Sequence, residues 1–113
     1  SLTDRAKAYM EQHFDQPITL LEAAETLGVS QSHFSREFVK YTGEQPIRYL
    51  TKVRLEYAVK LLHSTDMRLE EVSAACGFTD SNYFSKVFKK YMKASPGELR
   101  RQMRALGYTN VKV

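Results

Sequence analysis

The chain has 113 residues, 42% hydrophobic and 27% charged, with a formal net charge of +4. That is enough apolar material for one domain or two very small ones sharing a core, and it excludes a disordered polyelectrolyte. A single cysteine, Cys76, excludes an intramolecular disulfide, and no apolar run approaches the ~18–20 residues that cross a membrane.

Thr3–Phe14 reads as the first helix, with Thr3 as its cap, Asp4 at the positive dipole end, and Ala6, Tyr9, Met10 and Phe14 as its apolar stripe. Pro17 breaks it. Thr19–Leu27 is a second, short helix. Thr19 and Glu22 have the spacing of a capping box, Leu20, Ala23, Ala24 and Leu27 form the buried side, and Gly28 ends it. Ser30 is a fresh cap for a third helix from Gln31 to about Tyr41, in which Phe34, Phe38 and Tyr41 are expected to point inward together. Pro46 suits the first turn of a fourth helix running to about His63, with Ile47, Leu50, Leu55, Ala58, Leu61 and Leu62 on its apolar faces. Arg68–Cys76 is a fifth, short helix closed by Gly77. A sixth starts near Thr79 or Asp80 and turns Phe84, Val87, Phe88 and Tyr91 inward. Pro96 opens a seventh, through about Leu106, and residues 107–113 read as a frayed tail.

The second half of this pattern repeats the first. Gly28 matches Gly77, 49 positions on, and Phe34, Ser35, Phe38, Lys40, Tyr41 and Pro46 match Phe84, Ser85, Phe88, Lys90, Tyr91 and Pro96, 50 positions on. Each copy is a short helix, a glycine turn and a longer helix, the helix-turn-helix arrangement. Charge is unevenly shared between them. Residues 81–113 carry eight Lys/Arg against Glu98 alone, whereas residues 1–80 carry nine against twelve acids. A basic run of this kind reads either as a solvated face or as the footprint of a polyanion.

The stretches RLEYAVKLL (54–62), EVSAACGFTDSNYFSKVFKKYMKASP (71–96) and PGELR (96–100) resemble the DNA-binding domain of the AraC/XylS transcriptional regulators, in order and spacing over about residues 3–105. The resemblance implies an all-α fold: about seven helices in two homeodomain-like, three-helix helix-turn-helix subdomains joined by a long linker helix. The expected boundaries are 1–45 for the first subdomain, 46–64 for the linker, 65–106 for the second and 107–113 for the tail. It also implies contacts with RNA polymerase and a separate sensor or dimerisation domain. Because the chain opens at Ser1, that domain is expected upstream of an excised piece. One departure is that YMKAS (91–95) lacks the glycine often found after the second recognition helix.

A major groove admits one helix, and its N-terminal, outward-facing turns reach the base edges. In the first copy those positions are Gln31, Ser32, Ser35 and Arg36; in the second they are Ser81, Asn82, Ser85 and Lys86. Arg36 and Lys86 suit guanine, Gln31 and Asn82 adenine. Lys40, Lys89, Lys90 and Lys93 lie further along and suit phosphates, as does the helix start at Thr19. His33 is either a DNA contact or a partly exposed structural residue. Arg54 reads as a structural pair or packed stem, with a phosphate contact second. Arg100, Arg101 and Arg104 either extend the basic strip or are solvated.

An enzyme is not expected. His13, His33 and His63 lack metal-ligand spacing, no phosphate-binding glycine loop occurs, and no cofactor is indicated. The sequence therefore reads as a sequence-specific binder of double-stranded DNA that regulates transcription in the cytoplasm, with no membrane association. Two helices would enter successive groove segments about one turn, ~34 Å, apart; otherwise only one inserts and the other sits on the backbone. The alternative class is a basic helical protein-interaction module.

Overall fold

The computed structural model describes residues 1–107, which form seven α-helices and no strand. The tail expected over 107–113 lies, past Gly107, outside the described residues. The chain divides into two compact units, unit 1 over Ser1–Arg54 and unit 2 from Leu55 onward. The division falls inside the long helix α4 (Pro46–Ser64), so each unit takes part of it.

Unit 1 contains α1 (Leu2–His13), α2 (Leu20–Leu27), α3 (Gln31–Thr42) and the start of α4. Its core is Ala6 and Met10 from α1, Ala23, Ala24 and Leu27 from α2, Phe34 and Phe38 from α3, and Leu50 from α4. The capping box at α2 forms as spaced. Glu22 N donates to Thr19 Oγ1 at 3.1 Å, and Thr19 N donates to Glu22 Oε1 at 3.2 Å. Gly28 then turns left-handed at φ 76° and its N–H closes back on α2.

Unit 2 contains the rest of α4, then α5 (Leu69–Ala75), α6 (Ser81–Met92) and α7 (Pro96–Ala105). Leu55, Ala58, Leu62, Val72, Cys76, Phe78, Phe84 and Phe88 form its core. At α5 the cap is one-sided. Glu71 Oε1 accepts from Arg68 N at 2.9 Å, and Arg68 has no side-chain acceptor to return the bond. At α7 it is again reciprocal, between Ser95 and Glu98.

Three local expectations are corrected. Ser1, not Thr3, caps α1, its Oγ accepting from Asp4 N at 3.3 Å, while Thr3 is buried one step inside the helix. Tyr41 is 66% exposed and Ile47 55% exposed, although both share a face with core residues. Periodicity assigns a face but not the length over which a neighbour covers it. Tyr41 stands in the last turn of α3 with Lys40 Nζ 5.3 Å from its ring centre, and Ile47 stands in the first turn of α4.

Two arginines close the gaps between helices. Arg54 donates from Nε to Phe14 O and from Nη2 to Gln16 O, both at 2.8 Å. Arg100 donates to three carbonyls, Leu62 at 3.2 Å, Met67 at 2.6 Å and Thr65 at 3.2 Å. Each binds carbonyls in or just past the C-terminal end of a helix, where a cation is favoured. Partial burial lowers the pKa of Arg100, and the group stays charged because an arginine starts so high.

Ser73 is the odd residue of the second core. It is 1% exposed and its hydroxyl has no hydrogen-bond partner among the described residues. Its counterpart in unit 1 is Ala24, 0% exposed. A buried hydroxyl without a partner costs about 1–3 kcal/mol. Ser73→Ala is therefore expected to stabilise the protein by roughly 1 kcal/mol, and Ala24→Ser to destabilise it comparably, both read as shifts in the thermal midpoint. The reverse order would show that Ser73 finds a partner in solution.

The capping carboxylates generate a second expectation. Glu71 and Glu98 lie below the ordinary value of 4.5, first because each accepts a backbone N–H, from Arg68 and Ser95 respectively. A carboxyl whose folded pKa is depressed stabilises above its unfolded value and loses that contribution as pH falls through the folded one. A Glu71→Gln/Glu98→Gln variant should therefore differ most from the natural protein near neutral pH, and the two melting curves should converge as pH drops below 4 (about the unfolded glutamate range). Parallel curves throughout would remove the caps from the account.

Candidate nucleic-acid interface

Helices α3 and α6 are built alike. Each starts on a side-chain cap: Ser30 Oγ accepts from His33 N at 3.1 Å, and Asp80 Oδ1 accepts from Asn82 N at 2.8 Å and Tyr83 N at 3.4 Å. Each is anchored by two phenylalanines one turn apart. Phe34 and Phe38 meet at 6.0 Å and 83°, Phe84 and Phe88 at 5.7 Å and 60°, and all four are at most 1% exposed. Edge-to-face pairing adds to the apolar burial and leaves the ring pairs little freedom to rotate.

With that face fixed, the opposite one is solvent. On α3, Gln31, Ser32, Arg36 and Lys40 are exposed and Ser35 is half-buried. On α6, Asn82, Lys86, Lys89 and Lys90 are exposed and Ser81 and Ser85 are half-buried; Lys93, the C-cap, is exposed as well. Asn82, Lys86 and Lys89 recur at steps of four and three, so they form one ridge, and Lys93 follows as the C-cap just past the helix. The corresponding positions of unit 1 are Ser32, Arg36, Val39 and Gly43. A shallow depression flanks each ridge, lined by Ser35, Arg36, Glu37, Val39, Lys40 and Gln45 in unit 1, and by Ser85, Lys86, Lys89, Lys90 and Ser95 in unit 2.

The sequence-predicted residues thus group by unit as expected, with one of different character. Thr19 lies at the start of α2, its hydroxyl engaged with Glu22 Oε1 at 2.9 Å. What that position offers a ligand is the N-terminal end of α2 rather than a free hydroxyl. Arg36, Lys86 and Lys93 make no salt bridge among the described residues, so their charge is available. Lys40 and Lys90 each lie over a neighbouring ring, 5.3 Å from Tyr41 and 5.9 Å from Tyr91. Lys89 lies near enough to Glu98 to help depress its pKa.

The remaining cations separate cleanly. Arg54 and Arg100 are committed to carbonyls, and Arg104 pairs with Asp66 at 2.5 Å. Arg101 stays exposed. His33 is exposed in the first turn of α3. Its counterpart Tyr83, to which helical periodicity assigns no place in the core, is 59% exposed in the first turn of α6, with its ring 6.3 Å from that of Phe78. Its sequence signal is an aromatic residue interrupting the polar start of a helix whose inward positions are already filled.

Among the described residues no group of three His, Cys, Asp or Glu side chains could hold a metal ion, and no helix is long and apolar enough to cross a membrane.

A family model described as a helix-turn-helix domain matches residues 23–102. The C-terminal domain of AraT, a response regulator from Geobacillus stearothermophilus, is 39% identical, with a TM-score of 0.87 over 89% of this chain and 84% of that one. The DNA-binding domain of AdpA, a global transcriptional factor solved in complex with a target DNA, has a TM-score of 0.87 at 26% identity, over 91% of this chain and 93% of that one. The MmsAB operon regulatory protein of Pseudomonas aeruginosa is 36% identical over 101 residues, which are 89% of this chain but 33% of that protein. The chain spans roughly a third or less of the length of such curated relatives. With these matches, the chain belongs to the AraC-type helix-turn-helix DNA-binding domains of transcriptional regulators.

Proposed function

We propose that α3 and α6 both enter the major groove of one DNA duplex and read its sequence. The observation that carries this is the repetition. Two helices present the same register of small polar residues followed by a long cation, each opposite a buried phenylalanine pair. Gln31, Ser32, Ser35 and Arg36 face bases from α3, and Ser81, Asn82, Ser85 and Lys86 from α6. Arg36 and Lys86 read guanine, and Asn82 reads adenine through its amide. The serines are short, which lets the helix backbone approach the groove floor. Lys40, Lys89, Lys90 and Lys93 take phosphates, and the N-terminal end of α2 at Thr19 takes another through its dipole.

α4 (46–64) is the linker between the two readers. It runs through 19 residues between them. The regulator acts in the cytoplasm, in a longer protein that supplies a sensor or dimerisation domain, and it engages RNA polymerase. The short span of this chain against its curated relatives supports the additional domain.

Selection of bound sequences from a random duplex pool tests this reading and yields the site. On that site, Arg36→Ala, Asn82→Ala and Lys86→Ala are each expected to cost about 1–3 kcal/mol of discrimination at one base pair, leaving binding to random duplex largely intact. Unchanged selectivity in all three overturns the base-reading assignment, and equal competition by random and selected duplex points instead to a basic protein-interaction module. Methylation protection on the same duplex should show two major-groove blocks with centres about 10 base pairs apart. A single block would leave one helix on the backbone.

A further inference from the structure

We infer that the two units divide DNA binding unequally: the end of α6, with Lys93, supplies most of the grip on phosphates, and the end of α3 adds little. The inference rests on the DNA-binding reading above and says which unit carries its sequence-independent part.

The repeat makes the comparison position by position. Arg36, Glu37, Val39, Lys40 and Gly43 in unit 1 stand where unit 2 has Lys86, Val87, Lys89, Lys90 and Lys93. With the base readers Arg36 and Lys86 set aside, unit 1 keeps one cation and one acid along this edge, and unit 2 keeps three cations, with Glu98 of α7 close to Lys89 alone of the three. The depression beside α3 accordingly includes Glu37 and Val39, whereas the one beside α6 is lined by three lysines and two serines.

Lys93 adds an observation independent of the charge count. It is the non-glycine residue at positive φ among the described residues, with φ 66° and ψ 9°. Gly43 takes the same conformation at the same place in unit 1, with φ 82° and ψ 2°. The two residues do the same backbone work. Lys93 N donates to Lys89 O at 2.9 Å, as Gly43 N donates to Val39 O at 2.8 Å. A glycine would close α6 without the steric penalty that a Cβ meets in the left-handed region. The lysine side chain returns nothing to the fold: it is exposed and makes no salt bridge among the described residues. It also adds like charge to Lys86, Lys89 and Lys90, which repel one another until a polyanion is present. Strain kept at such a position calls for a use outside the fold. A phosphate just past the end of α6 is that use, since Lys93 follows directly on the last turn, which carries Lys89 and Lys90.

The test uses the whole chain and a random-sequence duplex, following affinity against salt and thermal midpoint in parallel. Each phosphate contact contributes about 0.9 to the slope of log affinity on log salt, or roughly three- to five-fold in affinity near 0.15 M. Lys93→Gly is expected to raise the melting midpoint by several degrees, while lowering the slope by about 0.9. Lys90→Gln should lower the slope equally, and the matched Lys40→Gln by less than half as much, because Glu37 lines the same depression and repels the phosphate that Lys40 attracts. A Lys93→Gly protein that melts higher with an unchanged slope overturns the role of the lysine. One that melts no higher overturns the strain argument. Equal effects of Lys40→Gln and Lys90→Gln overturn the division between units. A chain that binds no duplex at all removes the DNA-binding reading and this inference with it, whereas binding with an evenly shared slope removes the inference alone.

Discussion

Two phenylalanines one helical turn apart decide what each recognition helix shows to solvent. Burying such a ring contributes about 1.5–3 kcal/mol, and removing one from a packed core costs about 3–5 kcal/mol. No surface interaction on α3 or α6 approaches that. Rotating either helix enough to turn Arg36 or Lys86 away from solvent would expose a ring that is now at most 1% accessible. The direction of the basic ridge is thus a consequence of core packing. The caps at Ser30 and Asp80 add where the helix begins, and so which residues stand in its first turn.

The two units reach this arrangement by different routes at several positions. Arg54 serves the carbonyls of Phe14 and Gln16 in unit 1, and Arg100 serves those of Leu62, Thr65 and Met67 in unit 2. These arginines are not counterparts. Arg54 corresponds to Arg104, and Arg100 to Leu50, so the same carbonyl region is covered from helix positions one turn apart. The consequence for function is a sorting of cations. In the C-terminal basic run, Arg100 is consumed by the fold and Arg104 is paired with Asp66, while Lys86 and Lys93 have no such commitment. Net charge alone would have weighted them equally.

This sorting marks where the sequence stops being informative. The core positions were readable because 3.6-residue periodicity and burial share one cause, the need to hide an apolar stripe. The capping box at Thr19 and Glu22 was readable because its geometry is local. Tyr41 and Ile47 were misjudged because their burial depends on how far a neighbouring helix extends, which no local pattern encodes. Ser1 and Thr3 offer equally suitable cap hydroxyls, and the sequence does not say at which of them the helix begins. Arg100 was ambiguous because its partners lie 33 to 38 positions away. The missing glycine after α6 was plain in the sequence, but not that Lys93 adopts the glycine conformation regardless.

That last point links stability to the ligand. Unit 2 has Ser73, Cys76 and Lys93 where unit 1 has Ala24, Leu27 and Gly43. The first leaves a hydroxyl without a partner, the second buries less apolar volume, and the third accepts a strained backbone. Phe78 offsets part of this. It is 8% exposed and its ring lies 5.1 Å from that of Phe84, whereas Val29, in the matching turn of unit 1, is smaller and only half-buried. Units of this size have small cores and little stability in reserve. A cluster of four lysines with Glu98 close to Lys89 alone is therefore a cost in the free protein, and a bound polyanion would reverse its sign. Binding to the folded state alone then adds stability in proportion to the logarithm of ligand concentration over Kd. On the proposed division of phosphate contacts, unit 2 would gain most from the duplex, because repulsion among Lys86, Lys89, Lys90 and Lys93 is the term that DNA would remove.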